Sequence, residues 1–301
     1  MTDTLILTGR DVRALLGWDE CIAAVEKAFR LHAEGKSLAP GVLGVRAPRG
    51  GFHIKAAGLQ LDRLYFAAKT NANFSENPRR HGLPAIQGVI VLCDAEDGRA
   101  LAVMDSIEVT IRRTAAATAV AARYLARADA RSVTICGCGN QGRAQLRALA
   151  RVRPLERAFA FDADTAAARA YAEEMSAELG FEVAPVSSPA AGLAESDVCV
   201  TCTPSRQAFL MAAAVVVTDV LEQCAAIGDL HHALEAGVMS RDKVHAELAD
   251  LVTGGREGRR SPEEITIFDS TGTALQDVAA AAIVYEKALA SGAGLPVALG
   301  A

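Results

Sequence analysis

Arg131-Ser-Val-Thr-Ile-Cys-Gly-Cys-Gly-Asn-Gln-Gly142 is a strand-sized apolar run closed by Gly137, Gly139 and Gly142 in G-x-G-x-x-G spacing, with a helix-forming segment directly behind it. Glycine at the first position allows a tight turn, at the second it lets a pyrophosphate reach the backbone, and at the third it lets helix and strand pack closely. The helix that follows, with Asn140 and Gln141 at its start, offers unpaired N–H groups and a positive dipole end to phosphate. Twenty-five residues after Gly137, the second strand-like run ends in Phe159-Ala-Phe-Asp162. That puts a carboxylate near a ribose 2′-hydroxyl, where it would repel a 2′-phosphate. The stretch predicts a dinucleotide site that takes NAD in preference to NADP.

Working outward, strands and helices alternate downstream. Ser132 to Cys136 is followed by a helix from Gln141 to Arg151, Ala158 to Phe161, a helix from Thr165 to Leu179, Glu182 to Ala184, a short helix near Ala190, and Val198 to Thr201. This alternation specifies the doubly wound parallel sheet of a Rossmann domain. Upstream the period changes. Residues 11 to 35 read as helix interrupted near Gly17-Trp18. Then come the β-like runs Val42 to Val45, Phe52 to Ala57, Leu64 to Thr70, Gln87 to Asp94 and Ala100 to Asp105, parted by turn signals such as Arg49-Gly-Gly and Glu96-Asp-Gly. Strands in succession imply an antiparallel or mixed sheet, so the fold class is α/β, a Rossmann domain plus an α+β domain. Alanine-rich Ile107 to Arg127 bridges the two, and Thr273 to Ser291 is a last helix capped by Gly292. A whole domain precedes residue 137, so the substrate is expected between that domain and the carboxyl ends of the parallel strands.

The 301 residues carry 31 Lys+Arg against 36 Asp+Glu, a net charge of −5, and are 51% hydrophobic, the profile of a globular protein rather than a disordered one. Without a basic footprint, nucleic-acid binding and docking on an anionic membrane are not expected. The most apolar stretch, Met211 to Val217, is far shorter than the ~20 residues of a membrane helix. The N-terminus has no secretory pattern, which makes the cytoplasm the expected compartment. Seven scattered cysteines are expected to be free thiols. Cys199 and Cys202 lie three apart on a predicted strand and face opposite sides. His231 and His232 are adjacent and are expected to diverge on a helix, so no metal site is expected. Glu222 and Gln223 read as loop residues, and Gly254 to Ser261 reads as a solvated loop leading to a capping box at Ser261-x-x-Glu264.

Several segments carry a further likeness: Phe66-Ala-Ala-Lys69, Gly82-Leu-Pro84, Val103-Met-Asp105, Arg113-Thr-Ala-Ala-Ala-Thr, Gly137 to Gly142, Cys202-Thr-Pro-Ser205 and Ile267-Phe-Asp-Ser-Thr-Gly272. In this order and over nearly the full length, the chain resembles the ornithine cyclodeaminase/μ-crystallin family. The resemblance implies a homodimer with a substrate-binding and dimerisation domain at 1–112 with 273–301 and an NAD(P)-binding domain at 113–272. It also implies hydride transfer between the Cα of an α-amino acid, or its imine, and the nicotinamide, with deamination in the cyclodeaminases. Relatives stop at the oxo acid, as alanine dehydrogenases do, or reduce cyclic ketimines. Lens-crystallin members keep the dinucleotide site with little or no turnover.

By the same resemblance Arg46, Lys69 and Arg113 hold the substrate carboxylate, with Lys69 also placed to exchange a proton with the substrate amine. Arginine suits such a bidentate clamp. Lys69 shares a strand face with Tyr65 and Ala67, and Arg113 shares a helix face with Ala116, Ala117 and Val120, so both are expected to point inward. Arg112 is the alternative to Arg113. Ser270, Thr271 and Gly272 would line the nicotinamide side, and Thr203 to Ser205 the end of the fourth strand. Two departures stand out. Where cyclodeaminases have a glutamate, this chain has Lys55 in Phe52-His-Ile-Lys-Ala-Ala57, which disfavours a substrate with a distal ammonium, ornithine included. The family's catalytic aspartate, on a strand after the fourth, has no counterpart between Pro204 and Thr218. Pro204 to Ala214 barely suffices for a parallel crossover, so a segment about the size of a βα unit is expected to be missing between Leu210 and Met211.

Overall fold

The computed structural model describes residues 3–203 and 214–299. In chain order the elements begin β1 (Thr4–Leu7), α1 (Gly9–Leu15), α2 (Trp18–Ala33), β2 (Ser37–Ala47), β3 (Gly50–Gln60), β4 (Leu64–Asn73), α3 (Asn77–His81), β5 (Ile86–Asp94), β6 (Ala100–Asp105) and α4 (Ser106–Leu125). They continue with β7 (Ser132–Cys136), α5 (Asn140–Leu149), β8 (Arg157–Phe161), α6 (Thr165–Leu179), β9 (Glu182–Pro185), α7 (Pro189–Leu193) and β10 (Val198–Thr201). The last are β11 (Val215–Thr218), α8 (Leu221–Ile227), α9 (Asp229–Glu235), β12 (Ala246–Glu247), α10 (Leu248–Thr253), β13 (Thr266–Asp269), α11 (Ala274–Ser291) and β14 (Leu295–Val297). No helix among the described residues is long and apolar enough to cross a membrane. The chain divides into two compact units, Met1–Arg113 with Gly272–Ala301, and Thr114–Thr271.

The first unit is built on a seven-stranded sheet in the order β14-β1-β6-β5-β4-β3-β2. Only the β1–β6 pair is parallel, so the sheet is mixed, as the helix-free run of strands implied. Helix α11 lies across β3, β4 and β5 and also packs on α2. Its run of alanines, Ala279 to Ala282, is buried and lets the backbones approach closely. Thr273 caps its first turn by accepting from Leu275 N–H, and Gly292 ends it at φ 70°. The break before α2 falls at Gly17, where Leu16 is extended and the Glu20 carboxylate returns to the Gly17 N–H. Cys21, Ile22, Val25, Ala28 and Phe29 then recur at helical spacing and are all buried.

The second unit carries a parallel sheet in the order β10-β7-β8-β9, the 4-1-2-3 half of a doubly wound fold. A separate parallel sheet, β12-β11-β13, follows. Among the described residues no strand pairs with the outer edge of β10, where a fifth strand of the Rossmann order belongs. Leu210 and Met211, between which a segment was expected to be missing, lie outside the described residues. The core is Val133, Ile135, Leu146, Leu149, Ala158, Ala160, Tyr171 and Met175, the inward positions of β7, β8, α5 and α6.

Two local expectations are corrected. Glu222 and Gln223 lie in α8 rather than a loop, Glu222 pairing with Arg241 and Gln223 donating to Thr271 Oγ1 at 2.6 Å. Ser261-x-x-Glu264 opens a turn, not a helix, because Glu264 is taken by the backbone and side chain of Arg260. Beside it Arg259 turns inward to the carbonyls of Leu125, Ser261, Pro262 and Glu264, so this part of the loop is tied down rather than solvated.

Candidate active site

Lys55 and Lys69 are cross-strand partners on β3 and β4, so both point from one face of the sheet. Strand β4 alternates as expected, with Tyr65, Ala67 and Lys69 buried on that face. Opposite them, in the first turn of α11, stands Asp277, whose carboxylate is 1% exposed. Lys69 Nζ lies 2.8 Å from Asp277 Oδ1 and 2.7 Å from Oδ2. Arg113, reaching in from α4, donates from Nε to the same Oδ1 at 2.9 Å and from Nη1 to Gln276 Oε1 at 2.9 Å. Lys55 donates to the Gly272 carbonyl at 2.6 Å. Gly272 has φ 75°, and a Cβ there would stand 2.3 Å from Arg113 Nη1, so only glycine lets the arginine pass. The choice between neighbouring arginines is decided by packing: Arg112 instead lies over the Trp18 ring and donates to the Arg13 carbonyl.

Three cationic side chains thus converge with one carboxylate away from water. Burial first, then the Arg113 charge, push the Lys69 ammonium down to about 7, against the pull of Asp277. Burial alone would raise Asp277. Arg113 and then Lys69 outweigh it and hold the carboxyl below its ordinary value. The α11 N-terminus adds a positive dipole end beside it. Asp277 and Gln276 were not singled out from sequence. Their signal was an acid and an amide in the first turn of an otherwise apolar helix, since a buried acid there requires a cation. Arg46, by contrast, is exposed on β2 beside Gly51. It shares the face of Val42, the β2 partner of Lys55, but lies four residues further on, about 13 Å along the strand.

In the second unit the glycine loop has the geometry its spacing requires. Gly137 sits at φ 102°, and its N–H donates to the Phe161 carbonyl at 2.8 Å. Among the described residues nothing stands within 4 Å of the Cβ position of Gly139, and no side chain caps the start of α5 there. A Cβ on Gly142 would meet the Gly137 carbonyl oxygen at 2.1 Å. Asn140 is exposed, and Gln141 keeps a buried Oε1 without a hydrogen-bond partner among the described residues. Asp162, at the end of β8, accepts from Cys138 N–H at 2.8 Å and Asp164 N–H at 3.0 Å, which fixes its carboxylate beside the loop. An uncapped helix start, an open glycine and a nearby carboxylate fit a dinucleotide: the amides would hold its phosphates and Asp162 its ribose. Gly142→Ala is expected to cost about 1–3 kcal/mol in urea unfolding despite alanine's better helix propensity, because the clash is with backbone. It should also weaken dinucleotide binding in a fluorescence titration.

Thr203 is exposed in a bend just beyond β10, and Ser205 lies outside the described residues. Ser270 donates from Oγ to the buried Asp219 at 2.9 Å. Gly272 belongs to the lysine and arginine group around Asp277, where its carbonyl accepts from Lys55.

The model of the ornithine cyclodeaminase/mu-crystallin family matches residues 2–228 and 210–292. The alanine dehydrogenase of Archaeoglobus fulgidus is 36% identical over 323 residues, with 97% of each chain covered. That alignment is longer than the present 301 residues and therefore opens gaps in this chain. Among solved structures, Thermococcus litoralis Δ1-pyrroline-2-carboxylate reductase in complex with NADH and L-proline superposes with a TM-score of 0.93 at 32% identity, covering 98% of this chain and 100% of that one. An archaeal alanine dehydrogenase dimer with bound NAD gives 0.92 at 35% identity, covering 99% of both.

Proposed function

Because the chain belongs to the ornithine cyclodeaminase/mu-crystallin family, we propose that it is an NAD-dependent enzyme moving a hydride between the Cα of a small α-amino acid, or the matching imine, and the nicotinamide. The supporting observation is the buried Lys69–Asp277–Arg113 group with Lys55 beside it. When bound, NAD supplies the hydride acceptor or donor. Arg113, joined by Lys69 when it is protonated, sets positive charge against an α-carboxylate, and Asp277 keeps both side chains in place. Lys69, with its ammonium near neutrality, takes the proton from a substrate nitrogen as the free amine and returns it as the ammonium. This gives Lys69 the proton transfer for which the stretch Pro204 to Thr218 offers no aspartate. Lys55 repels a distal ammonium, so ornithine is a poor substrate, while alanine-like acids, cyclic imines and substrates with a second carboxylate are favoured.

Incubation with NAD⁺ and a panel of L-amino acids, reading NADH absorbance and free ammonia together, tests the proposal. Both products mean dehydrogenation, and ammonia without net NADH means cyclodeamination. Neither product, with no turnover of cyclic imines in the reverse direction although NADH binds, would establish a second reading that the missing aspartate favours, a dinucleotide-binding protein without turnover. Asp162 leads us to expect NADH to bind at least roughly tenfold more tightly than NADPH, a preference that Asp162→Ser should erase.

We infer a homodimer formed through the first unit. The sheet face opposite Lys55 and Lys69 presents Leu43, Val45, Phe52 and Val89, all exposed, in register across β2, β3 and β5. An apolar sheet face of this kind needs a cover. In sedimentation velocity the wild-type chain should run as a dimer, and Leu43→Glu with Val45→Glu should release folded monomer. A monomeric wild type would defeat this assignment. We place the enzyme in the cytoplasm, where its seven thiols stay reduced.

A further inference from the structure

We propose that His231, His232 and Glu235 form a site for a divalent transition-metal ion of the zinc class on the second unit. All three lie on α9, and Glu235 follows His231 by four residues and His232 by three, so its carboxylate stands against both imidazoles. His231 Nε2 lies 3.4 Å and His232 Nδ1 3.9 Å from Glu235 Oε2. One ligand atom from each residue falls within 4.8 Å of the others. The ring centroids are 5.4 Å apart, closer than divergence of adjacent residues on a helix leads one to expect. Successive positions on a helix face different directions, yet these two side chains approach the one carboxylate.

Protonation makes the arrangement informative. His231 Nδ1 lies 3.1 Å from the Ala225 carbonyl oxygen, which only accepts, so Nδ1 carries the proton and donates it. In the neutral ring Nε2 then presents a lone pair to a carboxylate oxygen 3.4 Å away. The second imidazole nitrogen lies toward the same oxygen, so two ring nitrogens and a carboxylate form one donor set that a single metal ion can bridge. A carbonyl-held Nδ1–H is the outer partner that orients a metal-bound histidine.

The spacing suits this chemistry. With bonds of about 2.0–2.1 Å in a tetrahedral site, ligand atoms stand about 3.3 Å apart, so closing the site needs only small side-chain rotations. Two imidazoles with a single carboxylate select zinc, cobalt, nickel or copper over magnesium or calcium, which require mostly oxygen. Both imidazoles are half-buried and Glu235 is exposed, which leaves solvent access for the remaining ligand.

The test is a Co²⁺ titration of the reduced full-length chain, followed by calorimetry and visible absorption. A single equivalent should bind with the d–d bands of nitrogen and oxygen ligation and no thiolate charge-transfer band. Zn²⁺ should displace it and Mg²⁺ should not. His232→Ala and the conservative Glu235→Gln should each weaken binding roughly 10–100-fold, with melting in chelator unchanged. Absence of saturable binding, binding unaltered in Glu235→Gln, or a thiolate band placing the ion on cysteines would overturn the site.

Discussion

Lys69→Met is expected to lower kcat/KM for the best amino-acid or imine substrate by roughly 10²- to 10⁴-fold, the range of a lost general acid–base group, while NADH affinity stays within twofold. Methionine keeps the length and apolar stem of the lysine, so β4 and the cover provided by α11 are preserved. It also leaves Asp277 paired with Arg113 at 2.9 Å, so no buried charge is stranded. The pH profile separates chemistry from packing. With the Lys69 ammonium at about 7, wild-type kcat/KM for amino-acid oxidation should rise with pH through that value, because the free amine is the base. For imine reduction it should fall through the same value, because the ammonium is the acid. In the methionine variant both limbs should vanish. Lys69→Arg, which keeps the charge but exchanges no proton, should be nearly as slow as the methionine variant, with a smaller rise in KM. Activity within tenfold of wild type in both variants would remove Lys69 from the chemistry.

What the sequence disclosed follows a physical division. The glycine loop was legible because two of its three glycines answer backbone constraints that leave no alternative residue: φ 102° at Gly137 and a 2.1 Å clash for any Cβ at Gly142. The inward direction of Lys69 was legible because strand periodicity is strict, and β4 keeps it without a bulge. The choice between Arg112 and Arg113 was not legible from the helix pattern alone, since Trp18, the ring that takes Arg112, is remote in sequence. Asp277 was missed for a related reason. Its partners lie 208 and 164 residues away, and no local pattern announces a counter-ion supplied by a helix from the far end of the chain. An element as short as β12 was not foreseen, since too few residues carry a period there. The convergence of His231 and His232 on Glu235 was not legible from the adjacency of the two histidines; it rests on the i,i+4 and i,i+3 spacing of Glu235 along the helix.

Asp277→Asn tests the centre of the proposed machinery from the other side. The carboxylate holds two cations in a place without water, so its removal should cost about 3–5 kcal/mol in urea unfolding at mildly acidic pH, where Lys69 is charged. The loss should be smaller above about 7, where Lys69 sheds its proton and only the Arg113 pairing is forfeited. Linkage gives the same signs. A carboxyl held below its ordinary 3.8 contributes stability that is present above that value and lost as pH falls through the folded one, so the variant should show a shallower acid transition. A lysine depressed from 10.5 to about 7 binds fewer protons folded than unfolded between those values, so stability from this group rises with pH across that window in wild type. Removing the anion removes the influence that raises Lys69, so the window should widen downward and the limb in kcat/KM should move to lower pH. A purely structural role for Asp277 would lower stability and kcat together and leave the limb where it is. Displacement of the limb toward acid, in the amount of variant that remains folded, is therefore the decisive observation, and an unmoved limb would show that Asp277 does not set the protonation of Lys69.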